Sequence, residues 1–172
     1  MPITFHGNWK IDATRSKVWD DKSGRYAPDE VGEELIRIRI HGDIQDYEVL
    51  LGDEPTIRMG YSCRYDDPAW MPYTVREILG VSEENSDAMV ADFVERTKSR
   101  VKDYRVGAVY GLVRSIYVDE RTHYRLSKST GGVAEYVMLR RLAEDGQAYL
   151  ATVLNADGIV ARVRRFVRVP LD

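Results

Sequence analysis

Residues Gln45–Leu79 read QDYEVLLGDEPTIRMGYSCRYDDPAWMPYTVREIL. Tyr47, Val49 and Leu51 share one side of an extended run, against Asp46 and Glu48 on the other. Gly52-Asp53-Glu54-Pro55 turns the chain. Ile57, Met59, Tyr61, Cys63 and Tyr65 then face one way, while Arg58, Gly60, Ser62 and Arg64 face the other. Asp66-Asp67-Pro68 breaks that run, and Tyr73, Val75, Glu77 and Leu79 form the inner row of the next. Period-2 alternation marks half-buried antiparallel strands. Their apolar rows aim Tyr, Met and Val at one interior, around which the rest of the chain is expected to close as a barrel.

Working outward, Glu34–His41 (ELIRIRIH) alternates Ile36, Ile38 and Ile40 with Arg37, Arg39 and His41, and Gly42-Asp43 turns it into the quoted stretch. His6–Ile11 reads as a short first strand, and 12–33 as a long polar loop pinned by Trp19 and Tyr26. Between Ser82 and Lys102 the period becomes helical: Met89, Val90, Phe93, Val94, Thr97 and Val101 make one stripe, with Ser82 or Ser86 as the cap. Strands follow at Val106–Val118, Thr122–Lys128, Val133–Leu142, Ala148–Leu154 and Ile159–Val169, separated by Gly, Asp and Asn turns. A meander of about ten strands is best relieved of its edges by closure, which predicts a mainly β, antiparallel up-and-down barrel with one amphipathic helix near mid-chain. At 172 residues a single domain over 1–172 is expected.

Composition limits the function. A net charge of −3 offers no global attraction for nucleic acid. No apolar run approaches a membrane span, and the first residues lack the pattern of a secretory signal. Cys63 is the only cysteine, so neither an internal disulfide nor a thiolate metal cluster is expected, and the chain fits a cytoplasmic protein. His6, His41 and His123 have no ligand spacing, and Asp66-Asp67 reads as turn chemistry, so no metal and no cofactor are expected.

Gly7-Asn8-Trp9 is a G-x-W tripeptide on the first strand, and Arg164, Arg165 and Arg168 crowd the last. The pattern resembles the calycin superfamily of lipocalins, fatty-acid-binding proteins and related small barrels. The resemblance implies a first-strand Trp closed off by an Arg from a late strand, and an interior that holds a ligand. The helix departs from it: lipocalins place theirs after the barrel strands.

Taking the apolar row of each strand as interior puts four charges inside: Glu77, Arg114, Glu135 and Arg165. Such charges pair with one another or meet a polar ligand. Tyr47, Tyr61, Tyr65, Tyr73, Tyr110, Tyr124 and Tyr149 fall on the same faces, as ligand wall or barrel filling. Trp70 is placed as a plug or gate at one end. His123 is sent outward with Arg121 and Arg125, while Arg140, Arg162, Arg164 and Arg168 form an outward basic stripe suited to solvent or a subunit contact. Cys63 lies in a core row.

Two functions compete. In a cofactor-free lyase, isomerase or dehydratase, Glu77 or Glu135 moves a proton, Tyr61 or Tyr124 serves an oxygen, and Arg114 holds negative charge. In a non-catalytic binding protein the same groups, with Tyr47, Tyr65, Tyr73, Trp70, Arg165 and His123, anchor a small, partly polar organic ligand. The abundance of ionisable groups inside tips the sequence reading toward the enzyme. A filled barrel whose outer face builds a homo-oligomer is the third reading.

Overall fold

The computed structural model describes residues 4–29, 33–52, 55–82, 86–97 and 104–171. Eleven strands run in order: β1 (Gly7–Asp20), β2 (Arg25–Pro28), β3 (Glu34–His41), β4 (Ile44–Leu51), β5 (Thr56–Arg64), β6 (Met71–Leu79), β7 (Val109–Asp119), β8 (Thr122–Lys128), β9 (Ala134–Leu142), β10 (Ala148–Asn155) and β11 (Val160–Val169), with helix α1 (Ser86–Thr97) between β6 and β7. Each strand from β3 to β11 pairs with the next, β3 pairs with β1, and β1 pairs with β11 to close the ring. The barrel is therefore a ten-stranded antiparallel meander, with β2 as an eleventh strand hung on the far half of β1.

The region 12–33 is where the sequence reading fails. Instead of a long loop, β1 continues to Asp20 and turns through Gly24, at φ 64°, into β2. Trp19 and Tyr26 do pin it, as directly opposed residues whose rings meet edge to face at 5.1 Å. The hairpin's polar residues hid it, because both of its faces are largely wet and leave no apolar row to read.

The helix is described over Ser86–Thr97, and among its described side chains Val90 and Val94 pack on the core. Val101 lies outside the described residues, as do 83–85 ahead of the helix.

One end of the barrel is closed from within. Phe5 and Trp9 are fully buried, Tyr149 stacks on Phe166 at 4.9 Å, and the Trp9 indole donates to the Phe5 carbonyl at 2.9 Å. The Arg168 guanidinium lies 4.2 Å over Trp9 and donates to the carbonyls of Thr4, His6 and Gly146. Gly7 has φ 151°, and a Cβ there would collide with the Arg168 Nη1. The G-x-W tripeptide thus has a local cause: its glycine makes room for the arginine that caps its tryptophan.

Alternation supplies the period of a strand but not its phase. From β3 to β5 the apolar row does face inward, with Ile36, Ile38, Tyr47, Val49, Ile57, Met59, Tyr61 and Cys63 all buried. In β6 the phase holds for Tyr73 and Val75, then a bulge at Arg76 breaks it: Arg58 pairs with Glu77, and Met59 with Val75. Beyond α1 the phase holds in β10, where Tyr149 faces in, and is reversed in β7, β8, β9 and β11. Val113 and Ser115 face in, and so do His123, Arg125 and Ser127; Met138 and Arg140; and Arg164 and Phe166. Their apolar neighbours Ile116, Tyr124, Leu126, Leu139 and Val163 face out.

Candidate functional site

The reversed phase gives the interior two unlike walls. Strands β3–β6 supply tyrosines. Tyr47 and Tyr61 stack at 5.1 Å, and Tyr73 tilts against both at 6.2 and 5.3 Å. Strands β8, β9 and β11 supply cations. The Arg125 guanidinium stands 5.0 Å from the Tyr47 ring, 5.8 Å from Tyr61, and 5.5 Å from each of Tyr73 and Tyr136. Each such contact is attractive, the more so without water. Burial pushes the Tyr47 hydroxyl up to about 12 and raises Tyr73 and Tyr136 too, so the cage presents neutral hydroxyls.

Arg140 is 1% exposed and donates through Nη2 to the Gln45 Oε1 at 2.6 Å. Gln45 Nε2 then donates to the Ser115 Oγ at 2.9 Å, a polar bridge across the barrel. The remaining donors are the telling ones. Nε and Nη1 of Arg125, and Nε and Nη1 of Arg140, are buried without a hydrogen-bond partner. Among the described residues no carboxylate lies within ion-pair distance of either guanidinium. Arg164 is the contrast: it faces the same interior yet holds the Asp29 and Glu34 carboxylates at 2.8 and 3.0 Å. Arginine does not discharge by losing its proton, and an unpaired buried charge is costly.

His123 joins this wall near the closed end. Its Nδ1 is 3.1 Å from the Tyr65 hydroxyl, Phe5 packs on its ring at 4.5 Å, and its buried Nε2 has no partner. Burial and the nearby Arg140 charge hold its pKa down to about 3, so the ring is neutral.

The sequence-derived candidates divide accordingly. Tyr47, Tyr61, Tyr65 and Tyr73 are brought together as expected. Glu135 also reaches the interior, through a bulge opposite Ser127 rather than by plain alternation: Ser127 donates to its Oε2 at 2.9 Å, and Gly111 leaves the carboxylate space. Glu77 is turned outward by the β6 bulge and pairs with Arg58 at 2.7 Å. Arg114 faces out, donating to the Asp67 carbonyl at 2.9 Å. Tyr124 faces out between Ile116 and Leu139, and Arg165 holds Asp12 at 2.7 Å on the outer surface. Trp70 is no plug: it lies outside, with Lys128 at 4.2 Å and Arg114 at 5.7 Å over its ring. His123 faces in rather than out, and Arg140, Arg164 and Arg168 belong to the inner rows rather than to an outward stripe.

The charge lattice expected inside stands outside instead. Glu48 meets Arg37, Arg58 and Arg76 within 3.7 Å on the outer face of β3–β6.

Arg125, Arg140, Gln45 and Tyr136 were missed. A signal for the phase of one strand, β11, existed in the G-x-W resemblance. If Arg168 caps Trp9 from inside, Phe166 and Arg164 share its face, and Arg165 must lie outside. The chain bears this out.

No family model matches the chain, and no curated protein does. Solved structures do match. Over 99% of its length the chain superposes on the whole of a Schistosoma mansoni fatty acid binding protein in complex with arachidonic acid, at TM-score 0.56 and 11% identity. Over 97% of its length it superposes on 97% of the REP1-NXSQ fatty acid transporter, at TM-score 0.53 and 13% identity. The fold is a calycin-type barrel. No described helix is long and apolar enough to cross a membrane.

Proposed function

We propose that the barrel is a non-catalytic carrier of a small amphipathic organic anion. Its carboxylate would lie against Arg125 and Arg140, and its apolar body against Tyr47, Tyr61, Tyr73 and Met59. The observation that carries this is the pair of buried guanidiniums whose Nε and Nη1 have no partner. Four buried guanidinium nitrogens without a partner, two on each arginine, can each donate a charge-assisted hydrogen bond to an anionic oxygen. The arachidonic acid bound by one structural neighbour is a ligand of this chemical class.

Binding ranks ahead of catalysis. The acid–base reading asked for Glu77 or Glu135, for Tyr61 or Tyr124, and for Arg114; Glu77, Arg114 and Tyr124 face out. Glu135 is the inward carboxylate that keeps a lyase or isomerase as the alternative, with Tyr61 beside the arginine cage. The proposed carrier works inside the cell, in keeping with a chain that has a single cysteine.

Calorimetric titration with alkyl and arylalkyl carboxylates, each set against its matched alcohol, tests the proposal. Carboxylates are expected to bind at least about 10-fold more tightly than the alcohols. Arg125→Gln or Arg140→Gln should lower that affinity about 10- to 100-fold, the loss of one charge-assisted contact of ~1.5–3 kcal/mol. Equal affinity for alcohol and acid refutes the anion site. Consumption of a bound acid, abolished by Glu135→Gln, moves the assignment to an enzyme.

A further inference from the structure

Glu135 is brought into the barrel by two separate devices. Strand β9 bulges against β8: Ser127 faces Tyr136 and Lys128 faces Ala134, so Glu135 is the extra residue and escapes the alternation that would send it outward. Gly111, opposite Tyr73 on the inward face of β7, then leaves it room. A Cβ there would stand 3.1 Å from the Glu135 Oε2 and 3.2 Å from the Lys128 carbonyl oxygen. Gly111 is not among the glycines with positive φ, so space rather than backbone conformation asks for glycine at this point. The Ser127 hydroxyl donates to Oε2 at 2.9 Å, and Oε1 accepts nothing from the described residues.

No described cation lies within ion-pair distance of this carboxylate. Asp29 and Glu34, by contrast, are both taken by Arg164. A carboxylate has room for about four hydrogen bonds, and the Ser127 hydroxyl fills one place. An apolar body drawn past Glu135 would strip its water and return no bond. The inward row of β8 runs His123, Arg125, Ser127 from the closed end. Glu135, bonded to Ser127, therefore lies about one inward step, ~7 Å, beyond the Arg125 cage on the side away from Trp9.

We propose that Glu135 is the second polar contact of the binding site, and that the carried anion bears a hydrogen-bond donor, a hydroxyl or an ammonium, part-way along its body. This rests on the anion reading of Arg125 and Arg140. A donor at that point replaces the water that Glu135 loses, whereas a plain chain or an ether leaves the carboxylate unanswered. A site built around such a bond rejects analogues that lack it far more strongly than an apolar pocket rejects a change of size.

Calorimetric titration of the full chain separates the two contacts. The probes are straight-chain carboxylates with a hydroxyl, an ammonium or a methyl ether on one carbon, moved along the chain. At one position the hydroxy or the amino acid is expected to bind at least about 10-fold more tightly than the ether. Glu135→Gln keeps the shape and adds a donor of its own, so the ammonium preference should vanish and the ether should come within about 2-fold of the hydroxy acid. Glu135→Leu offers neither donor nor acceptor and should bring hydroxyl and ether level. An ether that binds as tightly as both donors at every position overturns the proposal, and so does a preference that both variants keep. The wild-type ratio of plain acid to matched alcohol reports the arginines separately. Acids that hold that advantage while ether and donors bind alike remove this proposal alone; acids without it remove the anion reading and this proposal with it.

Discussion

At the scale of single residues, the interior is set by which polar groups found partners. His123 shows how burial turns such a group into a measurable quantity. Its imidazole is held to about 3 by burial and by the Arg140 charge, against ~6.5 in an unfolded chain. Between those values the unfolded chain binds a proton that the folded one excludes. Stability therefore rises with pH through that window and is flat above ~6.5. Read downward, it is lost as pH falls below ~6.5, at up to about 1.4 kcal/mol per pH unit. His123→Phe keeps a ring against Phe5 and Tyr65 but cannot take the proton. Denaturant midpoints between about pH 4 and 6 are expected to depend less steeply on pH in that variant than in the wild type. Parallel slopes would show that His123 is not the group responsible.

At the scale of elements, β11 decides more than any other strand, because it closes the ring on β1 and carries Arg164 inward. Arg164 ties the chain after β2 to the start of β3 through Asp29 and Glu34, all three being largely buried. Removing the cation leaves two buried carboxylates facing each other's charge. Arg164→Leu is expected to cost about 3–5 kcal/mol, roughly 10 °C or more in a chain of this size. Adding Asp29→Asn and Glu34→Gln should return much of the loss, since apolar or neutral replacements of a whole buried ion cluster are tolerated. A single variant that melts like the wild type would remove the tie from the account.

Strands β8 and β11 together show what sequence can and cannot tell. Strand positions were legible because period 2 survives in Thr122–Lys128, which the structure reproduces to the residue. The barrel was legible because short turns join those strands. The phase was not, because alternation in β8 offers His123, Arg125 and Ser127 against Tyr124 and Leu126, and hydrophobicity alone assigns the wrong set to the interior. Two bulges acted against the plain phase: one expelled Glu77, and the other admitted Glu135, which the sequence had placed inside, without Val137. The one long-range constraint in the sequence, Arg168 over Trp9, carried the correct phase for β11.

At the scale of the whole molecule, the charge is distributed inside out. The chain is net −3, yet Arg125 and Arg140 stand in its interior with no described carboxylate in contact. A barrel built this way is less stable empty than it could be, and a bound anion recovers the difference. Arg125→Met separates the two effects, since it fills similar space among Tyr47, Tyr61, Tyr73 and Tyr136 without the charge. The empty variant is expected to melt within a few degrees of the wild type, or above it, despite the loss of its ring contacts. In the wild type, a carboxylate at about 100 times its dissociation constant adds ~2.7 kcal/mol, a rise of roughly 5–10 °C. In Arg125→Met that rise should fall close to zero. Salt discriminates further: a pair formed inside the barrel is shielded from counterions, so the wild-type shift should change little as ionic strength rises tenfold. A shift that collapses with salt points to an anion held on the outer wall. A variant that loses several kcal/mol when empty, yet keeps its ligand response, would make Arg125 a structural cation held by its four tyrosines, and would leave the anion to Arg140 alone.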